Sequence, residues 1–212
     1  MTTDASADNS TTKPATIDFW FDFASNYSYL SIMRIEAAAA QRGVTVRWQP
    51  FLLGPIFHAL GYDASPFVAQ KEKGAYVWQD MVRECRKYGL QWVRPSTFPR
   101  HSLLALRVAL VGARQPWIGE YCRRITLRNF AQDRDIASAD DVGDVLAQLG
   151  LPAAQILADA QSDENKLGLR RQTERAQAKG IFGAPMFFVG DEMFWGNDRL
   201  DDALAFCASP NA

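Results

Sequence analysis

Two serines three residues apart, Ser25 and Ser28, stand where the chain passes from an alternating aromatic run into a helical one. A helix N-terminus lowers the pKa of a thiol, so a cysteine pair at such a junction does thiol–disulfide exchange. Here the tetrapeptide reads Ser25-Asn26-Tyr27-Ser28, with hydroxyls at both reactive positions. A hydroxyl cannot form a mixed disulfide, so redox exchange at this junction is excluded. Taken alone, Ser and Asn at a helix start do no more than cap it. A second feature adds weight. In Gly183-Ala184-Pro185-Met186-Phe187-Phe188 a proline opens an apolar strand directly after a glycine turn, which predicts a cis peptide bond. The three cysteines, Cys85, Cys122 and Cys207, are odd in number and form neither a C-x-x-C nor a zinc spacing. They read as free thiols buried in helices, a usage that suits the cytoplasm.

The elements that must position these residues follow from periodicity. Ile17 to Asp22 alternates as a strand, and a helix runs from Tyr29 to Arg42 with Leu30, Met33 and Ile35 at helical spacing. Gly43 ends it, and Val44 to Pro50 alternates as a second strand, parallel to the first because a helical crossover joins them. Helical stretches are then expected at about 74–88, 102–113, 116–130, 140–149, 152–161 and 163–179, broken at Pro95, Pro99, Pro116 and Pro152. Met186 to Val189 is an apolar strand, Gly190-Asp191 a hairpin turn, and Glu192 to Trp195 its returning strand. Asn197 or Asp198 is the expected cap of a last helix ending near Ala208.

The outline is βαβ, a helical block, then ββα: an α/β fold on the thioredoxin plan with a large all-helical insertion. The expected division is a flexible tail over 1–15, a thioredoxin-like domain from 16–53 and 164–212, and a helical insertion over 54–163. The 212 residues carry a net charge of −1 with the two signs interspersed, so no nucleic-acid surface is indicated. No apolar run is long enough for a membrane span, and none is indicated.

Longer matches identify the company this chain keeps. Phe21-Asp22-Phe23-Ala24-Ser25-x-Tyr27-Ser28-Tyr29-Leu30, Leu53-Gly54-Pro55-Ile56-Phe57, Ser65-Pro66-Phe67, Lys73-Gly74-x-Tyr76 and Phe98-Pro99-Arg100 form one series. Gly180 to Pro185 and Phe188 to Leu200 complete it. The chain thereby resembles the 2-hydroxychromene-2-carboxylate isomerases and, more distantly, the kappa-class glutathione transferases, both of the DsbA-like clan. The resemblance implies glutathione as cofactor, a small aromatic carboxylic acid from aromatic-compound degradation as substrate, and a homodimer. It implies that Ser25 hydrogen-bonds the glutathione sulfur and that Ala184 pairs with the cysteinyl backbone. Trp195, Gly196, Asn197 and Asp198 would receive the γ-glutamyl end, and Lys73 the glycyl carboxylate. His58, Asp63, Arg100 and His101 are the expected substrate-binding set, although the family more often has Lys, Asn and Asn at 58, 63 and 101. It also usually has Pro at 26, where this chain has Asn26. Tyr27, Phe57, Trp78 and Trp195 are candidates for an apolar slot around the ring.

The energetics suit a thiolate held by Ser25. A free thiol titrates near 8.5, so ionising it at neutral pH takes a shift of about two units, or about 2.7 kcal/mol. One hydrogen bond to a charged group contributes about 1.5–3 kcal/mol, and a helix N-terminus adds about 0.3–2 kcal/mol. Ser25 is therefore expected to stabilise a thiolate, with no general base required, and Ser28 to be a structural hydroxyl. The expected reaction is reversible thiolate addition to a conjugated carbon, which frees a double bond to rotate. A transferase that releases the adduct, a non-catalytic binder on the same fold, and a redox enzyme using Cys85 or Cys122 are the competing readings.

Overall fold

The computed structural model describes residues 15–209; the tail expected over 1–15 lies, except for Ala15, outside them. Four strands form one sheet in the order β2-β1-β3-β4, with β1 Thr16–Phe21, β2 Thr45–Pro50, β3 Met186–Val189 and β4 Glu192–Trp195. β1 pairs parallel to β2, with Phe19 opposite Trp48, and antiparallel to β3, with Phe19 opposite Phe187. The parallel pair needs a crossover, and α1, Asn26–Ala40, provides it. β3 is buried along its whole length, whereas the edge strand β4 is mostly exposed.

Alternation along the central strands sorts the core into two faces. Ile17, Phe19, Phe21, Phe187 and Val189 point into the main cluster. Trp20, Met186 and Phe188 point the other way and pack with Phe51, Ile56 and Ile181. The main cluster also takes Ile32 and Ile35 of α1, Val108 and Ala109 of α5 (Leu103–Gly112), and Tyr121 and Ile125 of α6 (Ile118–Phe130). The helical block between β2 and β3 thus shares one core with the sheet. Its other helices are α2 Leu53–Ala59, α3 Pro66–Ala69, α4 Lys71–Tyr88, α7 Ala139–Gln148, α8 Ala153–Gln161 and α9 Asp163–Ala178.

Several element boundaries differ from the sequence reading, the main ones for local reasons. α1 begins at Asn26 rather than Tyr29, because the Ser25 hydroxyl accepts the Ser28 N–H and caps the helix there. Two short helices, α2 and α3, were not expected, and they carry Pro55 and Pro66. Both prolines sit in a first helical turn, where the backbone N–H has no intrahelical partner to lose. α4 begins three residues early and runs through Gly74. A Cβ there would stand 2.2 Å from the Phe67 carbonyl oxygen, so α3 and α4 meet where only glycine fits. At the far end neither Asn197 nor Asp198 caps the last helix. A 3₁₀ turn, Asn197–Arg199, intervenes before α10, Leu200–Cys207. Among the described residues, no helix is long and apolar enough to cross a membrane, and no group of side chains could hold a metal ion.

Phe187 is fully buried at the centre of the sheet and stacks on Phe19 with ring centroids 5.3 Å apart. Phe187→Ala is expected to destabilise the fold by about 3–5 kcal/mol. The measurement is a lowered urea midpoint with an unchanged slope.

Candidate functional site

β1 ends at Phe21, and the turn that leads into α1 is fixed by the buried carboxylate of Asp22. Its Oδ1 accepts the Ala24 N–H at 2.9 Å and the Ser102 hydroxyl at 2.6 Å; its Oδ2 accepts the Leu53 N–H at 2.8 Å. One side chain therefore joins the starts of α1, α2 and α5. Ser102 precedes α5 but does not cap it, because its hydroxyl is engaged by Asp22. The Asp22 carbonyl also accepts the Ser25 N–H at 3.0 Å.

Ser25 is 7% exposed. Its Oγ accepts the Ser28 N–H at 3.2 Å, and its hydroxyl donates to the Ala184 carbonyl at 2.9 Å. The Ala184–Pro185 bond is cis, as the sequence pattern predicts. Phe98–Pro99 is cis as well, which the sequence reading took only as a helix break. Both turns border a cavity of about 890 Å³ whose wall includes Ser25 and Asn26. That volume is near the upper end for small-molecule pockets, which gives room for two small molecules side by side.

The β4 end closes one side. Trp195 is 54% exposed and packs against Phe182, ring centroids 4.8 Å apart. A Cβ on Gly183 would lie 2.6 Å from the indole Nε1, so glycine there seats the tryptophan. Gly196 adopts φ +101, and its N–H donates to the Pro185 carbonyl at 3.0 Å, tying this turn to the cis-proline turn. Asn197 is buried, and its Oδ1 accepts from Ser31 at 3.1 Å and from Arg34 at 3.0 Å. Its side chain thus holds the turn against α1. Asp198 and Arg199 are exposed neighbours on the wall. Across the cavity, Lys73 stands exposed on the first turn of α4, with no ion-pair partner among the described residues.

Ser25, Lys73, Ala184, Trp195, Gly196, Asn197 and Asp198, far apart in sequence, all line this one cavity. The other expected set does not. His58, Asp63 and His101 are exposed and lie off the wall. Arg100 is buried and turned inward: Nη1 donates to the Asn129 carbonyl at 3.1 Å and to its Oδ1 at 3.0 Å, while Nη2 pairs with Asp133. Its guanidinium is thus engaged by α6 and the loop after it, so none of these four expected residues is brought to the wall with the others. Of the candidate aromatic slot, Tyr27, Phe57 and Trp195 line the cavity. Trp78 packs instead against Phe98 and Trp92.

Sequence reasoning missed Asp22, Asp80 and Asn26 as parts of the site. Asp22 had a visible signal, a lone carboxylate among aromatics at a strand end. Asp80 had none, since it is one more polar residue on a helix. It accepts the Tyr27 hydroxyl at 2.7 Å, and burial together with this bond pushes the phenol above its ordinary range. The cysteines offer no reactive thiol: burial pushes Cys85 up to about 12 and raises Cys122 and Cys207 too.

Burial also raises the Asp22 carboxyl, and the bonds from Ala24, Ser102 and Leu53 only partly offset it. With the folded pKa above the unfolded value of about 3.9, the folded state holds its proton more tightly. That contribution is fully present below about pH 3.9 and is lost as the pH rises through the folded pKa. Unfolding titrations across this range are expected to show wild type losing stability relative to Asp22→Asn as pH rises. A difference that stays flat with pH would contradict it.

Comparison with known proteins agrees with this architecture. Residues 16–206 match the model of the DSBA-like thioredoxin domain. A protein of Sphingobium xenophagum named 2-hydroxychromene-2-carboxylate isomerase is 27% identical over 186 residues, covering 88% of this chain and 94% of its own. Glutathione s-transferase kappa 2 of Caenorhabditis elegans is 23% identical over 209 residues, covering 92% of each. A solved 2-hydroxychromene-2-carboxylate isomerase superposes with a TM-score of 0.83 at 26% identity, over 92% of this chain and 97% of that one. With nearly its whole length matched, the chain belongs to the DSBA-like thioredoxin domain family.

Proposed function

We propose that the chain is a glutathione-dependent isomerase, acting on 2-hydroxychromene-2-carboxylate and trans-o-hydroxybenzylidenepyruvate or a close polycyclic analogue. The observation that carries this reading is the Ser25 hydroxyl at the start of α1, bonded to the Ala184 carbonyl on the wall of a cavity of about 890 Å³. The residues present suit glutathione. Ala184 offers backbone groups beside a cis-proline, Asp198 and Arg199 offer opposite charges for an amino-acid end, and Lys73 offers a cation for the glycyl carboxylate. The relatives named as isomerases and kappa-class glutathione transferases support it. The buried free thiols suit a reducing compartment, and we place the protein in the cytoplasm.

When bound, glutathione supplies a thiolate that adds reversibly to a conjugated carbon and is regenerated. Ser25 supplies the hydrogen bond that favours that thiolate over the thiol. It has one proton, which donates to the Ala184 carbonyl, so holding a sulfur means turning that proton away from Ala184. The exchange replaces a neutral hydrogen bond with a charge-assisted one, about twice as strong. It also frees the Ala184 carbonyl to accept a ligand N–H. The N-terminus of α1, fifteen residues long, adds its dipole to the same point. Phe57 and Tyr27 give the ring an apolar wall.

One observation favours the second reading, a kappa-like transferase for electrophiles. The cavity wall holds two basic side chains, Lys73 and Arg199, against Asp80, Glu84 and Asp198 besides the buried Asp22. The two carboxylates of glutathione would engage both cations. A substrate carboxylate would then face Asp80 and Glu84 without a cation of its own.

Two measurements separate the outcomes. Ser25→Ala is expected to raise the pKa of the bound thiol by about one to two units, the value of a hydrogen bond to a charged group. Isomerisation of 2-hydroxychromene-2-carboxylate should fall by a similar factor, about 10- to 100-fold. Normal turnover with normal thiol ionisation in this variant would sink the role. Offering wild type an uncharged aryl enone beside the carboxylate substrate, and following glutathione, decides the reaction. Isomerisation with glutathione conserved is expected; stoichiometric consumption with the enone alone supports the transferase.

A further inference from the structure

One face of α4 runs along the cavity: Lys73, Tyr76, Val77, Asp80 and Glu84, at helical spacing, all stand on the wall. Its two carboxylates differ in what they leave free. Glu84 pairs with Lys87 at 3.6 Å. Asp80 has no ion-pair partner among the described residues; it meets only two phenols, those of Tyr27 and Tyr76. The Tyr27 bond to Oδ2, 2.7 Å long, is half-buried, whereas the Tyr76 contact to Oδ1 is solvent-exposed and, at 3.5 Å, at the long limit for a hydrogen bond. A carboxylate has about four lone-pair sites, so Asp80 keeps acceptor capacity on its open side. Tyr27 has given its one proton to Asp80, so its oxygen too has only lone pairs to offer. Asp80 and Tyr27 are each partly exposed on the cavity wall, and together they present acceptors and no donor.

We infer that Asp80 is a specificity-determining residue that accepts the aryl hydroxyl of the substrate, so that the cavity selects hydroxyaryl acids over the same acids without the hydroxyl. The inference deepens the isomerase reading proposed above and rests on it. A wall of acceptors that carries a negative charge repels a carboxylate and favours a group that donates a proton. The open-chain acid of the proposed reaction carries no cation, and its one donor is the hydroxyl on the ring. That hydroxyl is ortho to the chain that the thiolate attacks. Tyr27 follows Ser25 by two residues, so Asp80 is tied to the same turn of α1 that carries the sulfur-binding hydroxyl. Seating the ring hydroxyl on Asp80 turns the acid end of the chain away from that carboxylate. It also makes use of a charge that, against an aromatic ring alone, would cost desolvation with no return.

The test is calorimetric binding of inert ligands to the full-length protein holding S-methylglutathione, which has no thiol to react. The ligands are o-hydroxyphenylpropanoate, phenylpropanoate and o-methoxyphenylpropanoate, which share the ring and the acid. Wild type is expected to bind the hydroxyl ligand about tenfold more tightly than the other two, since a methoxy group accepts but cannot donate. Asp80→Ala should erase that preference while binding phenylpropanoate at least as well as wild type. Tyr27→Phe, which leaves the carboxylate in place, should keep it. Wild type binding the hydroxyl ligand no better than the methoxy one overturns the inference, whether or not Asp80→Ala folds. A preference that survives in Asp80→Ala overturns it too. So does a preference lost in Tyr27→Phe, because Asp80 would then act only by fixing that ring. Failure of wild type to bind glutathione overturns the cofactor reading instead, and the same three ligands offered to the protein alone then decide the role of Asp80.

Discussion

The hydroxyl of Ser25 has one proton, and the architecture of the site is arranged around where that proton goes. In the structure the proton donates to the Ala184 carbonyl, 159 residues away in sequence. The contact exists because β1 and β3 pair antiparallel, with Trp20 opposite Met186, so the exit from β1 and the entry to β3 lie at the same end of the sheet. Asp22 then fixes the turn after β1 from three sides, and Gly196 fixes the cis-proline turn through the Pro185 carbonyl. Neither Ser25 nor Ala184 has to be ordered when a ligand arrives. The work of positioning has been done by the sheet and by one buried carboxylate.

The same carboxylate bears on the electrostatics. A charged Asp22 beside a thiolate would oppose its formation, but burial raises the Asp22 carboxyl and favours its neutral form. The three donors that surround it offset part of that cost and disperse what charge remains. Farther out, Asp80 engages the Tyr27 hydroxyl, which keeps that phenol protonated and its ring fixed on the cavity wall.

Much of this was legible in the sequence because it depends on short-range chemistry. Alternation, an apolar run and a hairpin turn gave the four strands to within a residue or two, and the glycine–proline pattern at 183–185 announced the cis bond. Ser25, Lys73, Ala184 and the 195–198 turn were expected at one site from their motifs, and the fold brings them to the wall of one cavity. What stayed hidden depends on partners distant in sequence. Nothing in Phe98-Pro99-Arg100 says that the arginine turns inward to Asn129 and Asp133, so it was assigned to substrate along with His58, Asp63 and His101. Proline in α2 and α3 masked two helices, since a helical first turn and a loop look alike around it.

The scaffold also explains why serine is a workable replacement for cysteine at this junction. A thiol at a helix N-terminus is activated by the dipole, and the dipole remains when the thiol belongs to a bound molecule instead. Exchanging the protein sulfur for a hydroxyl removes the disulfide and turns an attacking group into a donor. The helices between β2 and β3 then acquire a second use: α2 and α4 raise walls around the junction, with Phe57 on one and Lys73 on the other. The junction therefore lies in a cavity of about 890 Å³, which on the proposed reading would take a thiol carrier and its reaction partner. The fold is that of the DSBA-like thioredoxin domain, and on the proposed reading its chemistry would depend on a sulfur supplied by the ligand rather than by the protein.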